Sequence, residues 1–213
     1  MLSNLYKFLI SRFLFFLIIG VNFIPTKVYC NQKIALFGDS LMSGFGLDEE
    51  FHLSTVLEKD LKEKGFNVNV INASVSGDTT NGGLNRLNWL IEKRNIDIVI
   101  LCLGANDMLR GIKPNLVKQN LNSILEILRK NNVNVLLAGM LSQDTYGKEY
   151  KNNFDKIYPE LAKKFKVSFL PFLLDGVALN PDYNLQDGKH PNSKGIKIIS
   201  KNLEKKLINL LNN

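Results

Sequence analysis

Residues 96–103 read Ile-Asp-Ile-Val-Ile-Leu-Cys-Leu (IDIVILCL), an almost unbroken apolar run. A strand with one wet face alternates apolar and polar residues, whereas a strand covered on both faces does not have to, so this run predicts the centre of a parallel sheet. The flanking sequence agrees. Residues 33–38 (KIALFG) read as a buried strand, and residues 53–64 as an amphipathic helix with Gly65 as its C-cap. Residues 68–71 give a second strand and 79–93 a second helical stretch. After the central run, Pro114 opens a helix whose Leu116, Val117, Leu121, Ile124, Leu125 and Leu128 share one face. Residues 133–139 form a fourth strand, 150–165 a helix and 167–172 a short fifth strand. An irregular stretch, 173–192, leads to a last helix over 193–211. Strands alternating with helices predict a three-layer α/β/α fold around a doubly wound, five-stranded parallel sheet.

The chain has 213 residues, 45% hydrophobic and 22% charged, ordinary values for a globular protein. They exclude disordered, collagen-like and coiled-coil classes. Two cysteines, Cys30 and Cys102, cannot build a disulfide scaffold or a cysteine-rich metal site, and Cys102 reads as an inert core thiol. The first residues stand apart. Lys7 and Arg12 precede an apolar run of twelve at 13–24, which Pro25 breaks. That order describes a signal peptide over residues 1–30, with a periplasmic or secreted domain over 31–213. An uncleaved anchor or lipidation at Cys30 are the alternatives, and bulky Tyr29 opposes the second. Residues 1–30 hold three bases and no acid, so 24 bases against 20 acids remain, a net charge of +4. No basic run interleaves with aromatics, which disfavours nucleic acid as a partner.

In doubly wound sheets the ligand lies beyond the carboxyl ends of the strands. There the polar residues gather: Gly38-Asp39-Ser40-Leu41 after the first strand, residues 72–78 (NASVSGD) after the second, and Gly104-Ala105-Asn106-Asp107 after the third. The irregular stretch adds Asp187-Gly188-Lys189-His190-Pro191. Only two histidines exist, His52 and His190. His52, between Phe51 and Leu53 at a helix start, reads as an ordinary surface or half-buried residue. His190 follows Asp187 by three residues in a loop, a spacing that brings a carboxylate to one ring nitrogen while the other faces Ser40. Gly77 suits a backbone that must bring its N–H close to a substrate, and Asn106 can donate a hydrogen bond without carrying charge. Asp39 and Asp107 read as structural, holding their own loops through Asx-type bonds.

These four blocks, in this order, resemble those of the SGNH (GDSL) hydrolases over nearly all of residues 31–213. Residues 72–79 (NASVSGDT), 158–162 (YPELA) and 187–192 (DGKHPN) are most similar to the bacterial periplasmic thioesterase/lysophospholipase/arylesterase branch. The resemblance implies Ser40 as nucleophile, His190 as base and Asp187 as its orienting partner. It implies an oxyanion hole from the N–H groups of Ser40 and Gly77 with the Asn106 side chain. It also implies cleavage of acyl esters, thioesters or lysophospholipids by a monomer, without cofactor or metal. The G-x-S-x-G elbow of α/β-hydrolases is absent. A carbohydrate deacetylase of the same architecture would carry identical catalytic blocks, and a flavodoxin-like binding module would leave Asp187, His190 and Asn106 unexplained. Lys194, Lys197, Lys201 and Lys205 form a basic stripe on the last helix, read as a solvated face, with transient contact to a membrane surface as the other use.

Overall fold

The computed structural model describes residues 31–212, and the signal peptide expected over 1–30 lies outside them. Five parallel strands, β1 (Gln32–Gly38), β2 (Val68–Asn72), β3 (Ile98–Cys102), β4 (Asn134–Ala138) and β5 (Ser168–Leu170), form one sheet in the order β2-β1-β3-β4-β5. The run that decided the fold is β3, between β1 and β4, and all five of its residues are buried. Helices α2 (Leu53–Glu63) and α8 (Ser193–Leu211) pack against each other on one face. Helices α3 (Thr80–Arg94), α5 (Pro114–Lys130) and α7 (Ile157–Phe165) cover the other. The chain runs outward from β1 to β2, then returns to β3 and proceeds the opposite way. The crevice between β1 and β3 is therefore the topological switch point.

Three details depart from the sequence reading. The helix expected over 150–165 is two, α6 (Lys148–Asp155) and α7, broken at Lys156. Pro159 has no N–H for the carbonyl of Asp155, so the helical ladder cannot continue across that turn. The Asp155 carboxylate instead accepts from the Ser142 N–H at 2.7 Å. Tyr146, Tyr150, Phe154 and Tyr158, four residues apart, nevertheless keep adjacent rings in contact, with centroids 5.4–5.9 Å apart. Second, short helices α1 (Ser40–Ser43) and α4 (Ala105–Leu109) occupy the exits of β1 and β3, where loops were expected. Third, Leu116 is exposed, because the buried stripe of α5 begins only at Val117.

Two glycines let the central strands and their exits approach. A Cβ on Gly38 would lie 2.6 Å from the Cys102 carbonyl oxygen, and one on Gly104 would lie 2.2 Å from the Tyr158 hydroxyl. That hydroxyl donates to the Leu103 carbonyl at 2.9 Å, inside the core. The four lysines of the basic stripe are exposed on α8, the solvated face expected. Among the described residues no helix is long and apolar enough to cross a membrane.

Candidate active site

Ser40 opens α1, where a backbone N–H has no acceptor within the helix. Asp39 is the N-cap: its Oδ1 accepts from the Leu41 N–H at 3.0 Å. This pins the turn that presents the Ser40 hydroxyl. His190 sits on a loop closed by backbone bonds from Leu185 N–H to the His190 carbonyl (2.7 Å) and from Asn192 N–H to the Tyr183 carbonyl (2.9 Å). Asn192 then caps α8 by accepting from the Lys194 and Gly195 N–H groups. The short polar motif thus ends a loop and starts a helix at once.

Ser40 and His190 meet across 150 positions of sequence. His190 Nε2 lies 2.9 Å from Ser40 Oγ, and His190 Nδ1 lies 2.5 Å from Asp187 Oδ2. Asp187 Oδ1 accepts from the backbone N–H groups of Lys189 (2.9 Å) and His190 (3.0 Å). The backbone donor of His190 first, then its ring, and then Lys189, hold this carboxyl well below the ordinary carboxylate range. A carboxylate kept ionised against one ring nitrogen leaves the other free to face the hydroxyl. The three residues expected together are brought together.

Gly77 adopts φ +79°, a conformation that side chains disfavour, on an exposed turn. Asn106, in the first turn of α4, donates through Nδ2 to the Asp78 carbonyl at 2.9 Å and to Asp39 Oδ2 at 3.3 Å. Asp39 is 1% exposed. Burial pushes its carboxyl up to about 6, against the lowering effects of the Leu41 N–H and of His190; Asp78 adds to the rise, and Asn106 opposes it.

Residues 36–198 match the family described as "GDSL-like Lipase/Acylhydrolase family". The chain belongs to that family. It is 38% identical to the arylesterase of Vibrio mimicus over 161 residues, covering 76% of this chain and 80% of the relative. It is 36% identical to the thioesterase 1/protease 1/lysophospholipase L1 of Escherichia coli K12 over 181 residues, covering 85% and 86%. The crystal structure of TesA superposes with a TM-score of 0.80 at 35% identity, covering 84% of this chain and 99% of that one. The sheet and helical layers described above are therefore those of a GDSL-like acylhydrolase.

Other residues bear out or correct the sequence reading. His52 is half-buried, its Nε2 3.1 Å from the Leu47 carbonyl, and takes no part in the cluster. Cys102 is a buried free thiol, its ionisation pushed far up by burial. Asp107 does not hold its own loop. Its carboxylate accepts from the Thr80 N–H (2.8 Å) and hydroxyl (2.6 Å), joining the β3 exit to the start of α3. Sequence reasoning missed neighbours of the site, Phe45 and Arg110 among them. Phe45 lays its ring against His190, with centroids 4.4 Å apart. Arg110 donates to the Gly77 carbonyl at 2.9 Å. Neither lies at a recognisable spacing from its partner. Among the described residues, no group of three or more His, Cys, Asp or Glu could hold a metal ion.

Proposed function

We propose that this protein hydrolyses acyl esters and thioesters through a covalent acyl-enzyme formed on Ser40. The observation that carries the reading is the continuous relay from Asp187 through His190 to Ser40, with bonds of 2.5 and 2.9 Å. Ser40 Oγ attacks the substrate carbonyl while His190 Nε2 takes its proton. Asp187 receives the Nδ1–H, which fixes the tautomer and stabilises the imidazolium. Charge develops on the former carbonyl oxygen, and the N–H groups of Ser40 and Gly77 with Asn106 Nδ2 receive it. The 3.3 Å bond from Asn106 to Asp39 is the weaker of its two, and it is the one the oxyanion replaces. His190 then returns the proton to the leaving alcohol or thiol. Water repeats the sequence in reverse roles and frees the acid.

The substrate reading is a small-molecule ester or lysophospholipid with a medium or long acyl chain. Phe45, Val75, Leu109 and Leu141, each beyond the end of β1, β2, β3 or β4, are exposed large hydrophobic residues at the same edge as Ser40. They offer an open apolar lip for a chain. The names of the relatives, arylesterase and thioesterase/lysophospholipase, support the same range of leaving groups. In this reading residues 1–30 direct export and 31–213 act as one monomeric hydrolase domain in the periplasm or outside the cell, touching membranes only transiently.

A fluorophosphonate probe tests the nucleophile. Labelling is expected at Ser40 alone, read by mass spectrometry of peptides. Ser40→Ala and His190→Ala are each expected to abolish hydrolysis and to keep the circular dichroism of the parent. A label on another serine would overturn the assignment.

A further inference from the structure

The guanidinium of Arg86 binds three acceptors on two segments around the site. Nε donates to Asp78 Oδ2 at 2.7 Å, Nη1 to the Ala73 carbonyl at 2.6 Å, and Nη2 to the Gly38 carbonyl at 3.1 Å. Its plane rests on the Phe37 ring, with Cζ 3.9 Å from the centroid. Gly38 lies two residues before Ser40, Ala73 follows β2, and Asp78 follows Gly77. One side chain on α3 therefore fixes the spacing between the β1 exit and the β2 exit.

Asp78 carries that restraint further. Its Oδ1 accepts from the Thr79 N–H at 3.0 Å, and its backbone carbonyl accepts from Asn106 Nδ2 at 2.9 Å. Space for the carboxylate is kept by Gly82 in the first turn of α3, where a Cβ would fall 1.9 Å from Asp78 Oδ1. A surface ion pair would need only one of these bonds. Here the donors of a planar fork are directed at three acceptors on two chain segments, an arrangement that a lysine ammonium on its flexible stem cannot reproduce.

We propose that Arg86 is the positioning residue of the oxyanion hole. It touches no substrate, but through Asp78 it sets where the Gly77 N–H and the Asn106 amide point relative to Ser40. The proposal rests on the reading of Gly77 and Asn106 as oxyanion donors. A hole displaced by a fraction of an ångström loses hydrogen bonds made in the transition state and leaves substrate binding nearly unchanged.

The test uses the whole protein and two variants, Arg86→Lys and Gly82→Ala, the second displacing Asp78 without touching Arg86. Each is assayed on p-nitrophenyl hexanoate and on its thionoester, whose carbonyl sulfur accepts hydrogen bonds poorly. Both variants are expected to lose about 10²-fold in kcat, as misplacement of reacting groups does, with KM within about threefold. The ratio of ester to thionoester kcat/KM should fall by at least about tenfold, because the oxygen substrate profits far more from an intact hole than the sulfur one. Loss of folded protein lowers both substrates equally and leaves that ratio alone. Should Arg86→Lys fail to fold, Gly82→Ala still decides. An unchanged ratio in the folded variants overturns the proposal. Asn106→Ala, run alongside, separates the two failures. If it lowers the ratio and the positioning variants do not, the role of Arg86 alone is wrong; if it too leaves the ratio unchanged, the oxyanion reading falls and takes the proposal with it.

Discussion

Replacing Asp39 by asparagine should make the protein more stable and less active, and the pH at which stability changes is set by the structure. Asp39 is buried, and its carboxyl stands at about 6 in the folded chain against an ordinary 3.8. A carboxyl that holds its proton more tightly when folded gives it up on unfolding, so stability falls as pH rises from about 4 to about 6. With each pH unit worth about 1.4 kcal/mol, the ionised form costs the fold up to about 3 kcal/mol at pH 8. Asparagine keeps an acceptor for the Leu41 N–H and removes that cost. It also turns an NH2 group toward Asn106 Nδ2, where Asp39 Oδ2 now accepts. Donor would face donor, and the Asn106 amide would swing away. Asp187 has the opposite sign: its depressed carboxyl contributes stability that is lost as pH falls below about 4, and at 39% side-chain exposure that contribution is screened. Urea unfolding of parent and variant at intervals from pH 4.5 to 8 isolates Asp39 together with its coupling to His190 and Asp78, since groups that do not interact with it cancel in the difference. The variant should gain on the parent steadily up to about pH 7 and lose activity at every pH. A difference that stays flat across that range would refute the reasoning.

Asn106→Ala should lower kcat by about 10²–10³ with little change in KM, the usual effect of removing one oxyanion donor; a loss under about tenfold would leave Asn106 a turn residue. Tyr158→Phe should cost about 1–3 kcal/mol in urea unfolding, since it leaves the buried Leu103 carbonyl without its donor, and a loss of only a few tenths would place that carbonyl's satisfaction elsewhere. Across p-nitrophenyl esters of two to sixteen carbons, kcat/KM should rise by roughly tenfold for every two methylenes until the apolar lip is filled, each buried methylene being worth about 0.8 kcal/mol. A steady fall from acetate onward, with activity on acetylated sugars, would favour a deacetylase instead.

What the sequence revealed depended on how local the signal was. Strand β3 was legible because burial on both faces writes itself as a continuous apolar run. The Asp187–His190 pair was legible because four consecutive residues of one loop contain it. The short helices α1 and α4 were not, since four or five residues are too few to display a helical period and their stability lies in the tertiary setting. Asp107 was misread for a related reason: an Asx bond within its own loop and a bond to Thr80, 27 residues away, look alike in sequence. Arg86 was silent altogether. On α3 it is one more polar residue beside Asn85, and only folding brings two strand exits within reach of its fork.

The 150 residues between Ser40 and His190 have a consequence for biosynthesis. A growing polypeptide presents the proposed nucleophile 150 residues before it acquires the proposed base. At about 5–20 residues per second, the ribosome needs roughly 8–30 s to bridge that gap. Until α8 is made and docks on α2, where Ser200 donates to Asp60 at 2.7 Å, no imidazole is held against the serine. On the proposed mechanism the nascent chain stays silent toward esters until the His190 loop is held in place by α8.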